Sequence, residues 1–316
     1  MNYMDKIDYK PLVAIHCLVY NHEPYLRDCF EGFVMQQTNF PFVAIVHDDA
    51  STDNSASIIR EYEAKYPHIF KPIYEEKNLY SNGKYWLIED IMRSSIKNIG
   101  AKYVAMCEGD DYWTDPLKLQ KQVDFMEANP EYSLCLTNSI VKFDDREVLA
   151  INHIWDTYTI EDVLNTNALN VKRRGDNVVP CAHTSTIFYR IPNDEFPNWV
   201  SQCFIGDEPL MIYLAHHGKV KFINEITSVY RAGVGVSSKN FSQELDWKNR
   251  IKMYEVINEG LGYQYKVFIN SIIAQYYFKL FKMKWKKGCK NKAIIFFFNS
   301  MKNDYRILIK WIKNKI

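Results

Sequence analysis

Over its first 110 residues the chain alternates short apolar runs with amphipathic stretches. Residues 12–18 read as a buried strand, bounded by Pro11 and by Tyr20-Asn21. Pro24 then stands at a first helical position, and Tyr25, Leu26, Cys29, Phe30 and Phe33 fall on one helical face. The pattern predicts a second strand over 42–47 and a third over 70–74. Between them lies a helix with capping residues Ser51, Thr52 and Asp53 at its start and Pro67 as its stop. A helix over 86–96 and a strand over 103–107 complete the series. This βαβαβαβ order implies an α/β fold with a mostly parallel, Rossmann-like sheet and helices on both faces.

In open sheets of this kind, ligands bind at the carboxyl ends of the strands. Behind the four strands stand Tyr20-Asn21-His22-Glu23, Asp48-Asp49, Asn78 and Glu108-Gly109-Asp110-Asp111. Polar and acidic side chains therefore converge on one edge from four places in the sequence. Further on, Asp115-Pro116 opens a helix expected to run to Asn129-Pro130. Strands follow near 133–140, 184–189 and 219–223, while 144–179 is polar and irregular, with loop and short helix expected. No internal repeat or low-complexity linker divides the chain.

Composition narrows the class. With 316 residues, 47% hydrophobic and 24% charged, the chain is an ordinary globular protein able to build its core without staples. Aromatics at 15% suit a stacking-rich site, a membrane-facing surface or plain core. The net charge of +1 hides an asymmetry: residues 266–316 hold thirteen Lys/Arg against the single acid Asp304, and the remainder is correspondingly acidic. The seven cysteines are scattered without CxxC spacing, which argues against a zinc site or disulfide framework and for a reducing compartment. Residues 1–10 are polar, so no signal peptide is expected. No run nears the roughly 18 apolar residues of a membrane span.

Two motifs carry chemistry. The acids of Cys107-Glu108-Gly109-Asp110-Asp111 sit at a strand end, where one or two carboxylates and the phosphates of a ligand can share a divalent ion. Gly109 permits close backbone approach. The same residues also make good turn chemistry. In the run from Ile45 to Asn54, a carboxylate can accept from a uracil N–H or a ribose hydroxyl, while Ser51 and Asp53 are expected to cap the following helix.

A family resemblance joins these pieces. The run from Val13 to Leu26, IVHDDASTDNS from Ile45 to Ser55, and EGDDYWTDPLKLQKQVDFMEANP from Glu108 to Pro130 resemble segments of bacterial family-two glycosyltransferases. So do TSTIFYR from Thr184 to Arg190 and IGDEPLMIYLAHHGKVKFINEITSVYR from Ile205 to Arg231. Together they span roughly residues 10–240 in the family's order. The resemblance implies a GT-A fold and an inverting single displacement from a nucleotide-diphosphate sugar, with a UDP-sugar as the expected donor. It implies that Asp110 binds Mg²⁺ or Mn²⁺ with the donor diphosphate, and that Asp49, with Asp48 beside it, holds the base or ribose. Tyr20, Asn21, Glu23, Asn78, Lys84, Glu108, Gly109, Asp111 and Arg231 complete the expected donor site, and Asp207 matches the catalytic base. A domain over 1–240 is implied, with a nucleotide-binding half at 10–115, an acceptor half at 116–240 and a helical tail over 241–316.

Two departures stand out. Glu108 replaces the first acid of the usual DxD. After Tyr230-Arg231, where the family often has a histidine, this chain has Ala232-Gly233-Val234-Gly235, so a third metal ligand is not expected there and a flexible loop over the diphosphate is. His183 and Trp113 read either as acceptor-side residues or as structural ones, and the adjacent His216-His217 cannot share a helical face.

The implied setting is bacterial surface-polysaccharide or glycolipid synthesis. A glycan or lipid-linked glycan is the acceptor, and the chain is expected in the cytoplasm or on the inner face of the plasma membrane. The tail mixes Lys with Tyr276, Tyr277, Phe278, Phe281, Trp285, Phe296–Phe298 and Trp311, which fits an interfacial helix on anionic lipid or a helical appendage packed on the domain. Nucleic-acid binding finds no supporting module. A dehydrogenase would need GxGxxG after the first strand, where this chain has Tyr20-Asn21-His22-Glu23. The alternative is a non-catalytic sugar-binding protein on a decayed transferase fold, against which the joint retention of Asp49, Asp110 and Asp207 argues.

Overall fold

The structure, a computed structural model, describes residues 10–150, 156–169, 183–234 and 242–313. The first half is the expected series: β1 (Val13–Val19), α1 (Leu26–Val34), β2 (Phe42–Asp48), α2 (Ser55–Lys65), β3 (Phe70–Tyr74), α3 (Tyr85–Ile99) and β4 (Tyr103–Met106). Strands β3-β2-β1-β4 lie side by side and parallel. The strand order reverses direction at β1, between β2 and β4, so the ligand crevice of a doubly wound sheet falls at the carboxyl ends of β1 and β4.

Side-chain alternation along these strands feeds two apolar layers. Val13, Ile15 and Cys17 of β1, with Ala44 and Val46 of β2, face Leu26, Phe30 and Phe33 of α1 and Ile58, Ile59 and Tyr62 of α2. Ala14, Ile45 and Val104 face the other way, onto Ile88, Met92 and Ile96 of α3. Gly100, at φ +75°, closes α3 and accepts the left-handed turn that a helix end often requires.

The second half turns the sheet antiparallel and then parallel again. It comprises β5 (Tyr112–Trp113), α4 (Lys118–Ala128), β6 (Tyr132–Lys142), β7 (Glu147–Leu149), β8 (Thr157–Tyr158), α5 (Ile160–Leu169), β9 (Phe188–Arg190), α6 (Asn198–Ser201), α7 (Asp207–His217) and β10 (Lys219–Arg231). The full sheet runs β3-β2-β1-β4-β9-β6-β10-β5, with β9 antiparallel to both β4 and β6. Three local expectations change. Residues 184–186 form a 3₁₀ turn, and the strand begins at Phe188. The helix expected from Asp115-Pro116 starts at Lys118, because the Asp115 carboxylate accepts the Leu117 N–H and holds a turn ahead of it. The strand expected to end at 223 continues through two register shifts to Arg231, despite the polar Asn224-Glu225. That extension carries Tyr230 and Arg231 to the crevice. Within 144–179, the described residues form β7, β8 and α5; 151–155 and 170–182, including Cys181, lie outside the described residues.

Four helices follow: α8 (Gln243–Gly260), α9 (Lys266–Lys286), α10 (Lys290–Asn303) and α11 (Arg306–Lys313). Ile251, Met253, Tyr254 and Ile257 of α8, and Ile269, Ile272, Ile273, Tyr276 and Leu280 of α9, belong to the same apolar cluster as β1, β4 and α3. Residues 243–280, on the tail side of the expected boundary at 240, thus contribute to the main core. Beyond them, α10 and α11 meet a small satellite cluster around Ala274, Phe278 and Ile307, and α10 also sets Phe296 against the main core.

Burying an aliphatic side chain stabilises by about 1.5–3 kcal/mol, so Ile269, Ile272, Ile273 and Leu280 of α9 together contribute roughly 6–12 kcal/mol. That is comparable with the whole stability of a domain, about 5–15 kcal/mol. A chain ended at Gly260 is therefore expected to lose its cooperative thermal transition in circular dichroism. A truncated chain that melts cooperatively near the full-length temperature would refute the shared core.

Candidate active site

The loops after β1 and β2 are pinned to each other. Asn21, at φ +56°, accepts the Thr52 N–H at 2.7 Å, and its own N–H donates to the Ser51 hydroxyl at 3.0 Å. The Glu23 carboxylate accepts from the Asn54 backbone and side chain, while the Glu23 N–H donates to Asp53 at 3.0 Å. Asp48 is buried and accepts the Ser51 N–H. Asn21 and Glu23 therefore act as struts between the loops, while Asp48 braces the loop after β2 from within. Of the two expected capping residues, Asp53 accepts the Ser55 N–H at the start of α2, and Ser51 is instead spent on Asn21. Ala50 sits at φ +57°, and a non-glycine residue there carries about 1–2 kcal/mol of strain.

The crevice between these loops and the β4 turn is lined by Tyr20, His22, Asp49, Tyr80, Tyr85, Glu108, Asp110 and Tyr230. Tyr20, Asp49, Glu108 and Asp110 are thus brought together as expected. Both oxygens of Asp49 already serve the β3–α3 loop, accepting the Leu79 N–H at 2.6 Å and the Tyr80 N–H at 3.0 Å. Each oxygen retains a lone pair for an incoming donor. Asn78 stabilises the same loop, donating to the Asp49 carbonyl and accepting from the Ser81 N–H. Lys84 is exposed at the start of α3 and does not line the crevice.

The β4 turn depends on Gly109, which rests against the β1 loop. A Cβ there would lie 2.8 Å from His22 Nδ1 and 3.0 Å from both Leu26 and Val19. His22 Nε2 in turn stands 3.9 Å from Asp110 Oδ2. Asp111 points away from the crevice, is buried, and accepts the Arg231 N–H at 2.9 Å. The Arg231 guanidinium donates to the Asp110 carbonyl at 2.7 Å and to Asp28 at 2.5 Å, and it packs over the Tyr25 and Tyr112 rings. Its charge holds the acidic turn in place from behind. Gly233 continues the chain at φ +89°, and Gly235 of the expected flexible loop lies outside the described residues.

Asp207 opens α7, with one oxygen accepting the Glu208 N–H at 2.8 Å. Burial raises its pKa. Burial also pushes Glu108 and Asp111 well above the usual carboxylate range, with repulsion from neighbouring acids added; Asp110 acts on both, and Asp207 and Glu89 on Glu108. Behind this cluster the Tyr85 hydroxyl donates to Glu89 at 2.9 Å and presses on Gly206, where any side chain would collide with it. Glu89 lies 3.8 Å from His16 and 3.7 Å from Arg93. The neighbour of Asp207 is fixed from the C-terminal helices: Glu208 accepts from the Arg250 guanidinium at 2.6 Å and from the Tyr254 hydroxyl.

Tyr85 and Glu89 escaped the sequence pattern because, four apart at the head of an amphipathic helix, they read as ordinary surface-to-core positions. His22 and Tyr230 stood inside motifs already singled out, so the signal for them was adjacency alone. Trp113 is core: it is buried and its indole N–H donates to the Ser185 carbonyl at 3.0 Å. The His183 ring stacks on Tyr230 with centroids 4.2 Å apart, and burial lowers its pKa to about 4, so it is neutral at physiological pH. His216 and His217 bond Tyr265 and the Tyr213 carbonyl separately.

A doubly wound sheet continued by an antiparallel half, with an acidic turn at the switch point and an acid heading α7, defines the GT-A class of fold. TarS of S. aureus shares it: its residues 1–349 in complex with UDP-GlcNAc match with a TM-score of 0.56 at 14% identity, over 91% of this chain and 79% of that one. The complex with UDP gives 0.52 at 15% identity, over 85% and 72%. The sequence profile of glycosyl transferase family 2 matches residues 15–195, more than half of the chain, and the chain belongs to that family. An uncharacterised protein of Mycobacterium tuberculosis is 41% identical over 133 residues, which is 42% of this chain and 36% of that protein. The putative teichuronic acid biosynthesis glycosyltransferase TuaG of Bacillus subtilis is 29% identical over 163 residues, 51% of this chain and 60% of that protein. The chain thus matches less than two thirds of the length of these relatives.

The acidic turn fits a divalent cation. Burial first, and then the charge of Asp110, raises the pKa of both Glu108 and Asp111, and such an ion would supply the positive charge that relieves this repulsion. Among the described residues no three His, Cys, Asp or Glu groups converge into a complete ligand set. One or two protein ligands, with phosphate oxygens and water filling the rest, is the usual arrangement for Mg²⁺.

These pKa directions fix a pH dependence. A carboxyl whose folded-state pKa is raised binds its proton more tightly folded than unfolded, so its contribution to stability is present at low pH and lost as pH rises through the folded value. Glu108, Asp111 and Asp207 all have this sign. The stabilisation by Mn²⁺, measured as a rise in melting temperature, should therefore increase between about pH 5 and pH 8 as the carboxylates ionise. A rise that shrinks over that interval would exclude the acidic turn as the ion site.

Proposed function

We propose that the chain is an inverting glycosyltransferase that moves a hexosyl or N-acetylhexosaminyl group from a nucleotide-diphosphate sugar to an acceptor hydroxyl. The observation that carries this reading is the placement of Asp110 and Glu108 on the crevice beside Tyr85, whose hydroxyl feels the charge of both Glu108 and the α7 acid Asp207. In a family-2 chain, Asp207 lying within electrostatic reach of the same tyrosine as the crevice acid Glu108 supports this reading.

Tyr20 and Tyr80 offer ring faces to the base, and the remaining lone pairs of Asp49 accept from its N–H or from ribose. Uridine is the first base to test, since TarS holds UDP and UDP-GlcNAc in its complexes. Mg²⁺ or Mn²⁺, when bound at Asp110, would supply positive charge to the departing diphosphate. Asp207 accepts the proton of the acceptor hydroxyl as that oxygen bonds to the anomeric carbon; the bond from carbon to the diphosphate oxygen breaks, and the nucleotide diphosphate leaves. Its raised pKa makes it a better base than an exposed carboxylate. The acceptor is a glycan or lipid-linked glycan, and the setting is surface polysaccharide or glycolipid synthesis in the cytoplasm, a reading that the name of TuaG supports.

Two substitutions separate the roles, measured with a panel of UDP-, GDP- and dTDP-sugars. Asp110→Ala is expected to remain folded and lose most Mn²⁺-dependent donor binding; unchanged affinity and metal response would remove it from the site. Asp207→Asn is expected to bind donor normally while transfer falls by about 10²–10⁴-fold, the scale of general-base catalysis. Wild-type turnover in that variant would remove Asp207 from the mechanism.

A further inference from the structure

The basic, aromatic tail of the sequence is two different things in three dimensions. Its first part, α8 and most of α9, is core. Its second part, the end of α9 with α10 and α11, presents large apolar side chains outward. On α10, Ile294, Ile295 and Phe298 share the solvent face, with Ile295 58% and Phe298 65% exposed. At the end of α9, Trp285 is 51% exposed. Ring contacts join the two helices into one surface: Phe281 lies 5.9 Å from Trp285 and 5.3 Å from Phe297, which lies 5.9 Å from Phe298. Core formation does not explain this outward face, because α10 already buries Ala293 and Ser300 on its opposite side.

The charge around that surface has one sign. Lys282, Lys284, Lys286, Lys287, Lys290 and Lys292 fall within eleven residues that contain no acid. Among the described residues, Lys284 is the one of these six that ion-pairs with a carboxylate, Glu244 at 2.6 Å. Lys290 lies over the Trp285 ring, so cation and aromatic already share one spot. No helix among the described residues is long and apolar enough to cross a membrane.

We propose that the outward face of α10, with Trp285 and the lysines beside it, is a foot that docks the protein on a membrane surface carrying anionic lipid. The apolar side chains enter the boundary between headgroups and acyl chains, as in helices that lie in the interface plane. The lysines stay at headgroup level, their stems along the apolar surface and their charges against lipid phosphate. Charge decides the occupant: two copies meeting through this face would bring lysine against lysine, whereas an anionic leaflet complements it. The outward side chains of the foot lie opposite Ala293 and Ser300, so they can be replaced without touching the satellite cluster or the contact of Phe296 with the main core, which the whole tail does not allow.

The test uses the full chain and an Ile295→Ser/Phe298→Ser variant, whose two side chains face solvent and should leave the melting temperature unchanged. The readout is co-sedimentation with phosphatidylcholine vesicles, with and without phosphatidylglycerol. The wild type is expected to bind the anionic vesicles, and more weakly at high salt, because screening shortens the reach of the lysines. The variant should bind at least tenfold less, from the apolar burial that two such side chains supply. Equal binding by variant and wild type would overturn the proposal. So would binding to neutral vesicles that equals binding to anionic ones, or a self-association abolished by the variant in a chain that binds no vesicles. Donor binding, which the foot does not touch, should be the same in both proteins, so loss of vesicle binding leaves the reading of the crevice standing.

Discussion

The arrangement depends on keeping several acids close together in a poorly solvated place. Glu108, Asp110, Asp111, Glu89 and Asp207 come from β4, α3 and α7, and their mutual repulsion opposes the packing that gathers them. Three features hold them against it. Arg231 binds the turn from behind, through the backbone of Asp110 and the carboxylate of Asp111. Gly109 lets the turn settle on His22 and Leu26 where a larger residue would be pushed out. Tyr85 and Arg93 engage Glu89. Each lies on a different element, so the site is only as rigid as the sheet that fixes their relative positions.

The nucleotide-side half was legible because its signals are local and periodic. Alternating apolar residues in β1 and β2, a stripe on α1 and α2, and acids just past the strand ends placed Tyr20, Asp49, Glu108 and Asp110 on one edge before any coordinates. The second half was less legible for physical reasons. β10 crosses its polar Asn224-Glu225 step by shifting register, which no alternation pattern anticipates. Asn21, Glu23 and Asp48 have the residue types of a binding site, yet the first two bond a neighbouring loop and Asp48 bonds its own, and a single sequence does not distinguish a carboxylate that awaits a ligand from one that receives a backbone N–H. Asp49 does both kinds of duty, since the loop after β3 hangs from it while it lines the crevice.

The C-terminal region shows the opposite difficulty. Its composition is so distinctive that it reads as one unit, whereas burial splits it. Isoleucines of α9 serve the central core, and Ile294, Ile295 and Phe298 of α10 serve a surface. Composition averages over those faces, and only the direction of each side chain separates them.

The contact of Glu208 with Arg250 and Tyr254 has a consequence for recombining this chain with its relatives. The position of Asp207 is set in part by a helix that begins some thirty-five residues later, beyond the last family motif. A chimera joined near residue 240, where the motifs end, would place the acceptor-side acid of one parent on the supporting helix of another. Unless that helix again presented a guanidinium and a phenol at the same height, Glu208 would be left buried beside Asp207 without its partners. The seam that respects the physics lies after α9, and the unit inherited together is therefore longer than the motifs that identify it.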